Sequence, residues 1–235
     1  MEDEKNTGVI HSMHGINWEK SKSLTPLKLD ILKALFRYNN DFFLTGGSAL
    51  GIFYFDHRMS YDLDFFSVHP IDWHVLSNEI VRIGSEIDAE ISQVSASPTF
   101  RRYEVRRNSE HEIVDFVREM VPQISSQKNK FGDFVVDTLQ EIAVNKWCTL
   151  LGRTELKDLI DLYYISREID IWIAFDQAKT KDGGFDPSII SFLVSQIKVD
   201  ELPPYLLIPL EIVDLIKFKS NICSYIDNQS FPEMS

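Results

Sequence analysis

Residues 42–68 read FFLTGGSALGIFYFDHRMSYDLDFFSV, and this stretch decides the fold. Phe42, Phe43 and Leu44 form a short apolar run that predicts a buried strand, and Thr45, Gly46, Gly47 and Ser48 supply turn chemistry after it. Residues 49–55 then predict a helix. Glycines at a strand-to-helix turn let backbone come close to a ligand, and the first helical N–H groups face an anion with the positive end of the macrodipole. The turn therefore has the character of a phosphate cradle, although an ordinary turn carries the same residues. Two common phosphate loops are excluded. The G-x-G-x-x-G order is missing, and Gly51 is followed by Ile52 where a Walker A loop needs Lys.

In the second half of the stretch, a strand's period of two puts Asp62 and Asp64 on one face and Leu63 and Phe65 on the other. The two Cα atoms would lie roughly 6.5–7 Å apart, close enough for both carboxylates to converge on one cation or to bracket two. An ionised carboxylate flanked by Leu and Phe is costly unless it is paired or metal-bound. The competing reading is an edge strand with a solvated acidic face. Oxygen-only ligands of this kind favour Mg²⁺ or Mn²⁺ over zinc.

Gly-Gly-Ser at a helix start, followed within one short helix by His57-Arg58, Ser60 and Asp62-x-Asp64, resembles the nucleotidyltransferase fold of the DNA polymerase β superfamily. The resemblance is closer still to its AbiEii/AbiGii toxin family, through Leu44-Thr45-Gly46-Gly47-Ser48-Ala49-Leu50 and residues 57–66, HRMSYDLDFF. The resemblance implies an α+β fold: a mixed, twisted sheet flanked by helices, with a helical C-terminal region. It also implies transfer of an NMP from an NTP to an acceptor hydroxyl, with Gly46, Gly47 and Ser48 at the β and γ phosphates and Asp62 and Asp64 on Mg²⁺. Arg58 would offset charge on the phosphoryl oxygens. Ser60 would contact a phosphate or accept a modification.

Further along, residues 113–117, IVDFV, match the apolar-Asp-apolar strand that carries the superfamily's third carboxylate, so Asp115 would complete the metal site or take the acceptor's proton. A carboxylate paired with a nearby arginine is the alternative. Residues 141–165 again resemble the toxins, in which a lysine on one helix and an Asp-x-x-Asp on the next lie beside the nucleotide. Lys146 would then hold triphosphate oxygens, with Asp161 and Asp158 orienting it. Asp158 and Asp161 share a helix face at i and i+3, and a surface salt bridge, worth about 0–1 kcal/mol, reads the same way.

The rest of the chain predicts scaffold. With 235 residues, 44% of them hydrophobic, it is long enough to bury a real core. We divide it into a loose lead-in over 1–23, a nucleotidyltransferase core over 24–136 and a helical region over 137–235. A helix opens at Pro26 and ends at Asn39-Asn40; another covers 71–83 and stops near Gly84. Three extended segments follow, at 86–94, 99–107 and 111–117. Arg101, Arg102, Arg106 and Arg107 surround Tyr103, either as a phosphate-tracking surface with a stacking aromatic or, favoured slightly, as a solvated strand. Thr138 and Glu141 have the form of a capping box. Asp186-Pro187 opens a further helix, and Pro203-Pro204 interrupts the chain before a last one over 208–226.

A net charge of −12 argues against broad DNA binding and fits a substrate met through a local patch. No stretch approaches a membrane span, and residues 1–7 lack the order of a signal peptide, so a cytoplasmic location is expected. Cys148 and Cys223 read as reduced core residues, and the six histidines are scattered with no zinc spacing. The expected partners are an NTP, an RNA acceptor such as tRNA and a cognate antitoxin. Two other readings stay open: a small-molecule nucleotidyltransferase of the aminoglycoside-modifying kind, and a nucleotide- or partner-binding module without turnover.

Overall fold

The computed structural model describes residues 16–39 and 41–230. Helix α1 (Pro26–Tyr38) starts where Thr25 accepts the Lys28 N–H and Pro26 fills the first helical position. Its buried stripe includes Leu27, Ile31, Leu32, Leu35 and Phe36. Strand β1 (Phe43–Thr45) is buried throughout, and α2 (Gly46–Ala49) follows at once, continuing as a π-helical turn over Leu50–Phe55. This segment ends at Asp56, whose φ of 49° is left-handed. Strand β2 is Asp62–Ser67, and α3 is Trp73–Glu86. The expected stop at Gly84 is not a stop. A Cβ there would sit 3.1 Å from the Ala89 carbonyl oxygen, so Gly84 permits close packing of helix on chain.

Next come β3 (Glu90–Ser97), β4 (Phe100–Arg107) and β5 (Glu110–Arg118), as three extended segments were expected. A hairpin was not expected: β6 (Lys128–Phe131) and β7 (Phe134–Asp137) turn at Gly132, whose φ is +60°. The helices α4 (Leu139–Gly152), α5 (Leu156–Ile165), α6 (Ile171–Lys181), α7 (Pro187–Gln196) and α8 (Ile212–Ser230) complete the chain. Thr138 caps the Glu141 N–H, but the capping box is only half made. The Glu141 carboxylate is buried and accepts from the Ile124 and Ser125 N–H groups and from Lys181.

The seven strands form one mixed sheet, ordered β3-β4-β5-β2-β1-β7-β6. Strand β2 runs parallel to β5 and β1 runs parallel to β7; the other neighbours are antiparallel. One face is apolar and aromatic. Phe65 stacks on Phe116 at 5.5 Å, Phe36 meets Phe65 at 6.0 Å and Phe42 meets Phe116 at 5.1 Å. Leu63 and Phe65 are fully buried there, and the intervening Asp62 and Asp64 are forced to the opposite face.

Two expectations outside the site are corrected. Residues 17–23, read as loose lead-in, are packed: Ser21 donates to Asp56 Oδ1 at 2.7 Å and Ser23 to the Arg58 carbonyl at 2.7 Å. Residues 1–15 lie outside the described residues. The last helix begins at Ile212 rather than 208, because the chain before it is held in an antiparallel bridge between Leu206 and Arg58.

Candidate active site

Across the polar face of the sheet, register places one residue from each of five strands in a row: Thr45, Asp64, Asp115, Arg102 and Ser95. Asp62 sits one pleat along β2 on the same face. A cleft of about 1010 Å³ opens over the Thr45 and Asp64 end of this row, with Asp115, Arg102 and Ser95 outside its walls, and is closed on the other side by α4 and the loop after it. Its walls include Gly46, Gly47, Asp62, Asp64, Lys146, Arg153 and Tyr205.

Gly46 is at φ +69°, and a Cβ there would lie 2.6 Å from Asp64 Oδ2. A Cβ on Gly47 would lie 2.5 Å from Arg58 Nη2 and 3.0 Å from Ser60 Oγ. The glycines therefore let the turn rest directly on the side chains of the site. Ser48 departs from expectation. It is fully buried, and its hydroxyl donates to the Asp62 carbonyl, so it fixes the strand from beneath and does not line the cleft.

Asp62 accepts from Ser60 Oγ at 2.8 Å. Ser60 is itself 4% exposed, a hydroxyl committed to Asp62 and not presented for modification. Asp64 has neither a hydrogen bond nor an ion pair among the described residues. Burial, then the charges of Asp62 and Asp115, push its pKa up to about 7. Asp115 is not gathered with them. It is 4% exposed and held in a two-pronged pair by Arg102, with Nε at 2.8 Å and Nη2 at 2.7 Å. The expected three-carboxylate metal site is thus incomplete, and among the described residues no three His, Cys, Asp or Glu side chains are assembled to hold a metal. Asp62 and Asp64 have the donor chemistry for a hard divalent cation: two adjacent carboxylates with no cation of their own among the described residues.

The opposite wall has the reverse arrangement. Asp161 is fully buried and accepts from Arg58 through Nε and Nη2, both at 2.7 Å, and from Lys146 Nζ at 2.6 Å. His57 Nε2 lies 2.8 Å from the same carboxylate. Burial would raise Asp161, but Arg58 and Lys146 hold it well below the usual carboxylate range. Burial pushes His57 down, so the neutral ring donates from Nε2 and leaves Nδ1 without a partner. Asp158, also fully buried, accepts from Lys146 at 2.8 Å and pairs with Arg153 at 3.2 Å. Burial would lower Lys146, yet Asp161 and Asp158 keep it charged. Lys146, Asp158 and Asp161 are thus brought together as expected in sequence, with the lysine at the cleft and both carboxylates behind it.

Three features escaped the sequence reading. Arg153 lines the cleft with a 45% exposed side chain; it follows the helix-ending Gly152, and no chemistry was read at it. Arg118 lines the same cleft and makes no side-chain hydrogen bond or ion pair among the described residues. Tyr205 belongs to the C-terminal region, in which no chemistry was read. Its carbonyl accepts from Met59 N–H at 2.8 Å, and Leu207 N–H donates to the His57 carbonyl at 2.8 Å, clamping the segment that carries Arg58. The rigid Pro203-Pro204 pair was the available signal.

Among the described residues, strand β4 presents no unpaired basic stripe, and Arg102 is taken by Asp115. Arg107 pairs with Asp30 and Glu110, Arg106 with Glu104, and Arg101 lies 4.4 Å over the Trp73 ring. Tyr103 is 4% exposed and cannot stack on a base. Both cysteines are free and partly buried, with Cys148 on the cleft wall. No helix among the described residues is long and apolar enough to cross a membrane.

A family model described as "Nucleotidyl transferase AbiEii toxin, Type IV TA system" matches residues 30–186. No curated protein matches the chain. Among solved structures, a putative nucleotidyltransferase from Helicobacter pylori is similar at 21% identity and a TM-score of 0.59, over 93% of this chain and 97% of its own. JHP933 from the same organism is similar at 21% identity and a TM-score of 0.57, over 87% and 92%. The nucleotidyltransferase toxin MenT4 from Mycobacterium tuberculosis is similar at 16% identity and a TM-score of 0.56, over 85% and 81%. At these identities the likeness is one of fold.

Proposed function

The chain belongs to the AbiEii toxin family of nucleotidyltransferases, and on that premise we propose that it moves a nucleoside monophosphate from an NTP to a hydroxyl of an RNA acceptor such as tRNA. Pyrophosphate is the product that leaves. The observation that carries the reading is the pairing of opposite walls: Asp62 and Asp64 unneutralised on one, and Lys146, Arg58 and Arg153 on the other.

Asp62 and Asp64 would hold Mg²⁺ or Mn²⁺, which supplies charge neutralisation for the triphosphate when bound. Gly46 and Gly47 give the phosphates close access to backbone beside Asp64. Lys146, held by Asp158 and Asp161, presents one ammonium to the cleft and loses little entropy on meeting a phosphate oxygen. Arg153 and Arg118 add cations that side chains of the protein leave half-exposed or unpaired. Asp115 stands in register beside Asp64, where it would take the acceptor's proton or complete the metal site. Expression as a toxin would arrest growth, and a cognate antitoxin would relieve the arrest.

The test is incubation of the protein, and of its Asp62→Asn/Asp64→Asn variant, with Mg²⁺, each α-labelled NTP in turn, and total RNA. Label in RNA with wild type and none with the variant is the expected result. Label in small molecules with RNA absent would point instead to a drug-like acceptor. Absence of NTP binding by calorimetry would overturn the assignment.

A further inference from the structure

Arg102 is the one cation in the transverse row of the sheet, and its position is asymmetric. Its side chain is 43% exposed, whereas that of the Asp115 it holds is 6% exposed. Beyond it in the row lies only Ser95, on the edge strand β3, so the guanidinium can turn toward solvent over an open stretch of sheet. The two partners therefore differ in what separation costs them. Arg102 is re-solvated readily, because nearly half of its side chain already stands in water. Asp115, left without a cation, would be an uncompensated buried charge, so it releases Arg102 only when another cation arrives. That cation has an obvious place. Asp64 is the register neighbour of Asp115 on the other side, carries no partner among the described residues, and is on the adjacent strand, about 4.8 Å away in the pairing direction.

We infer that Arg102 exchanges partners: it holds Asp115 in the free enzyme, and passes to a phosphate of the RNA acceptor when Asp115 turns toward a divalent cation at Asp64. A guanidinium that already binds a carboxylate through two parallel N–H groups presents the same fork to a phosphate oxygen pair. The acceptor's phosphate would thereby be fixed beside the hydroxyl that reacts, and Arg102 is a positioning residue for both the third carboxylate and the acceptor. This rests on the nucleotidyltransferase reading above and deepens it.

The test needs no turnover. Mn²⁺ binding to the NTP-free and RNA-free protein is followed by electron paramagnetic resonance for wild type, Arg102→Ala, Asp115→Asn and the double variant. Removing Arg102 frees Asp115, so Mn²⁺ should bind about threefold to fivefold more tightly, the equivalent of an exposed ion pair. In the Asp115→Asn background the same removal should change affinity by less than about twofold, since the exchange has lost its partner. A full gain that persists in that background would mean that Arg102 acts only as a distant positive charge, and would overturn the proposal. So would an unchanged Mn²⁺ affinity in Arg102→Ala.

The acceptor half is read by anisotropy of a fluorescein-labelled mixed-sequence oligoribonucleotide in Mn²⁺, where Arg102→Ala should lower the slope of affinity against salt by about one. An unchanged slope overturns that half. Circular dichroism melts verify that each variant is folded, and Arg102→Lys, which keeps the charge without the fork, should fall between wild type and Arg102→Ala in both assays. Failure of wild type to bind Mn²⁺ at all would overturn the metal reading itself, and is distinguishable from equal binding by wild type and Arg102→Ala.

Discussion

Two groups of aspartates face each other across the cleft, and the chain treats them in opposite ways. Behind α4, Asp158 and Asp161 are fully buried and share three cations, Lys146, Arg58 and Arg153, within hydrogen-bonding distance. On the sheet, Asp62, Asp64 and Asp115 share one among the described residues, Arg102. A carboxylate is costly to bury in either place. The first group is neutralised within the fold and so sets geometry, whereas the second is left short of positive charge and so creates a demand that a ligand meets. The pKa of the two central residues expresses this: Asp161 is pulled well below the usual range and Asp64 is pushed up to about 7.

The most severe way to break the comparison is Asp161→Ala. It leaves the buried Arg58 without its carboxylate and Lys146 with Asp158 alone, and the loss in unfolding free energy should be about 3–5 kcal/mol, read from urea denaturation. Asp64→Asn should do the reverse to stability. NTP-dependent labelling should fall by about 10²–10³-fold, the scale of losing one transition-state electrostatic partner. The metal-free variant should nevertheless melt above wild type at neutral pH. The sign follows from linkage: the folded state raises Asp64 from 3.8 to about 7, so it binds more protons than the unfolded chain over that interval. Its contribution is present below about pH 4 and is lost as pH rises through 7. Melting curves across that window should decline with pH in wild type, and less so in Asp64→Asn.

Smaller effects sharpen the contrast. Gly46→Ala places a Cβ 2.6 Å from Asp64 Oδ2 at a left-handed φ, so about 1–2 kcal/mol of stability should be lost together with most of the labelling. Its neighbour Asp64, and not the glycine, supplies the chemistry. At the bottom of the scale, Arg106→Ala removes a pair with Glu104 that is 62% exposed on the arginine side, and should change the unfolding free energy by under about 1 kcal/mol with labelling intact.

The sequence by itself determined the parts governed by local pattern. Alternation across Asp62, Leu63, Asp64 and Phe65 placed two carboxylates opposite two core residues, and the structure has them so. The Gly46-Gly47 turn, the Thr25-Pro26 and Asp186-Pro187 helix starts, and the shared helix face of Asp158 and Asp161 were legible for the same reason: each depends on neighbours a few residues apart. The β6–β7 hairpin escaped the sequence reading, because the runs that flank Gly132-Asp133 are short and half polar.

Tertiary structure alone decided which charges met. Ser48 turned inward because the Asp62 carbonyl lay over it; Arg102, Arg106 and Arg107 of β4 found acids on α1, on β5 and on β4 itself, and Arg101 found the Trp73 ring, leaving no free basic stripe among the described residues. Residues 203–208, remote in sequence, supplied the clamp on Arg58. Whether Asp115 faced a metal or an arginine could not be read from its strand, because a β-strand fixes the face on which a side chain stands and leaves the choice of cation to whatever the neighbouring strand brings into register.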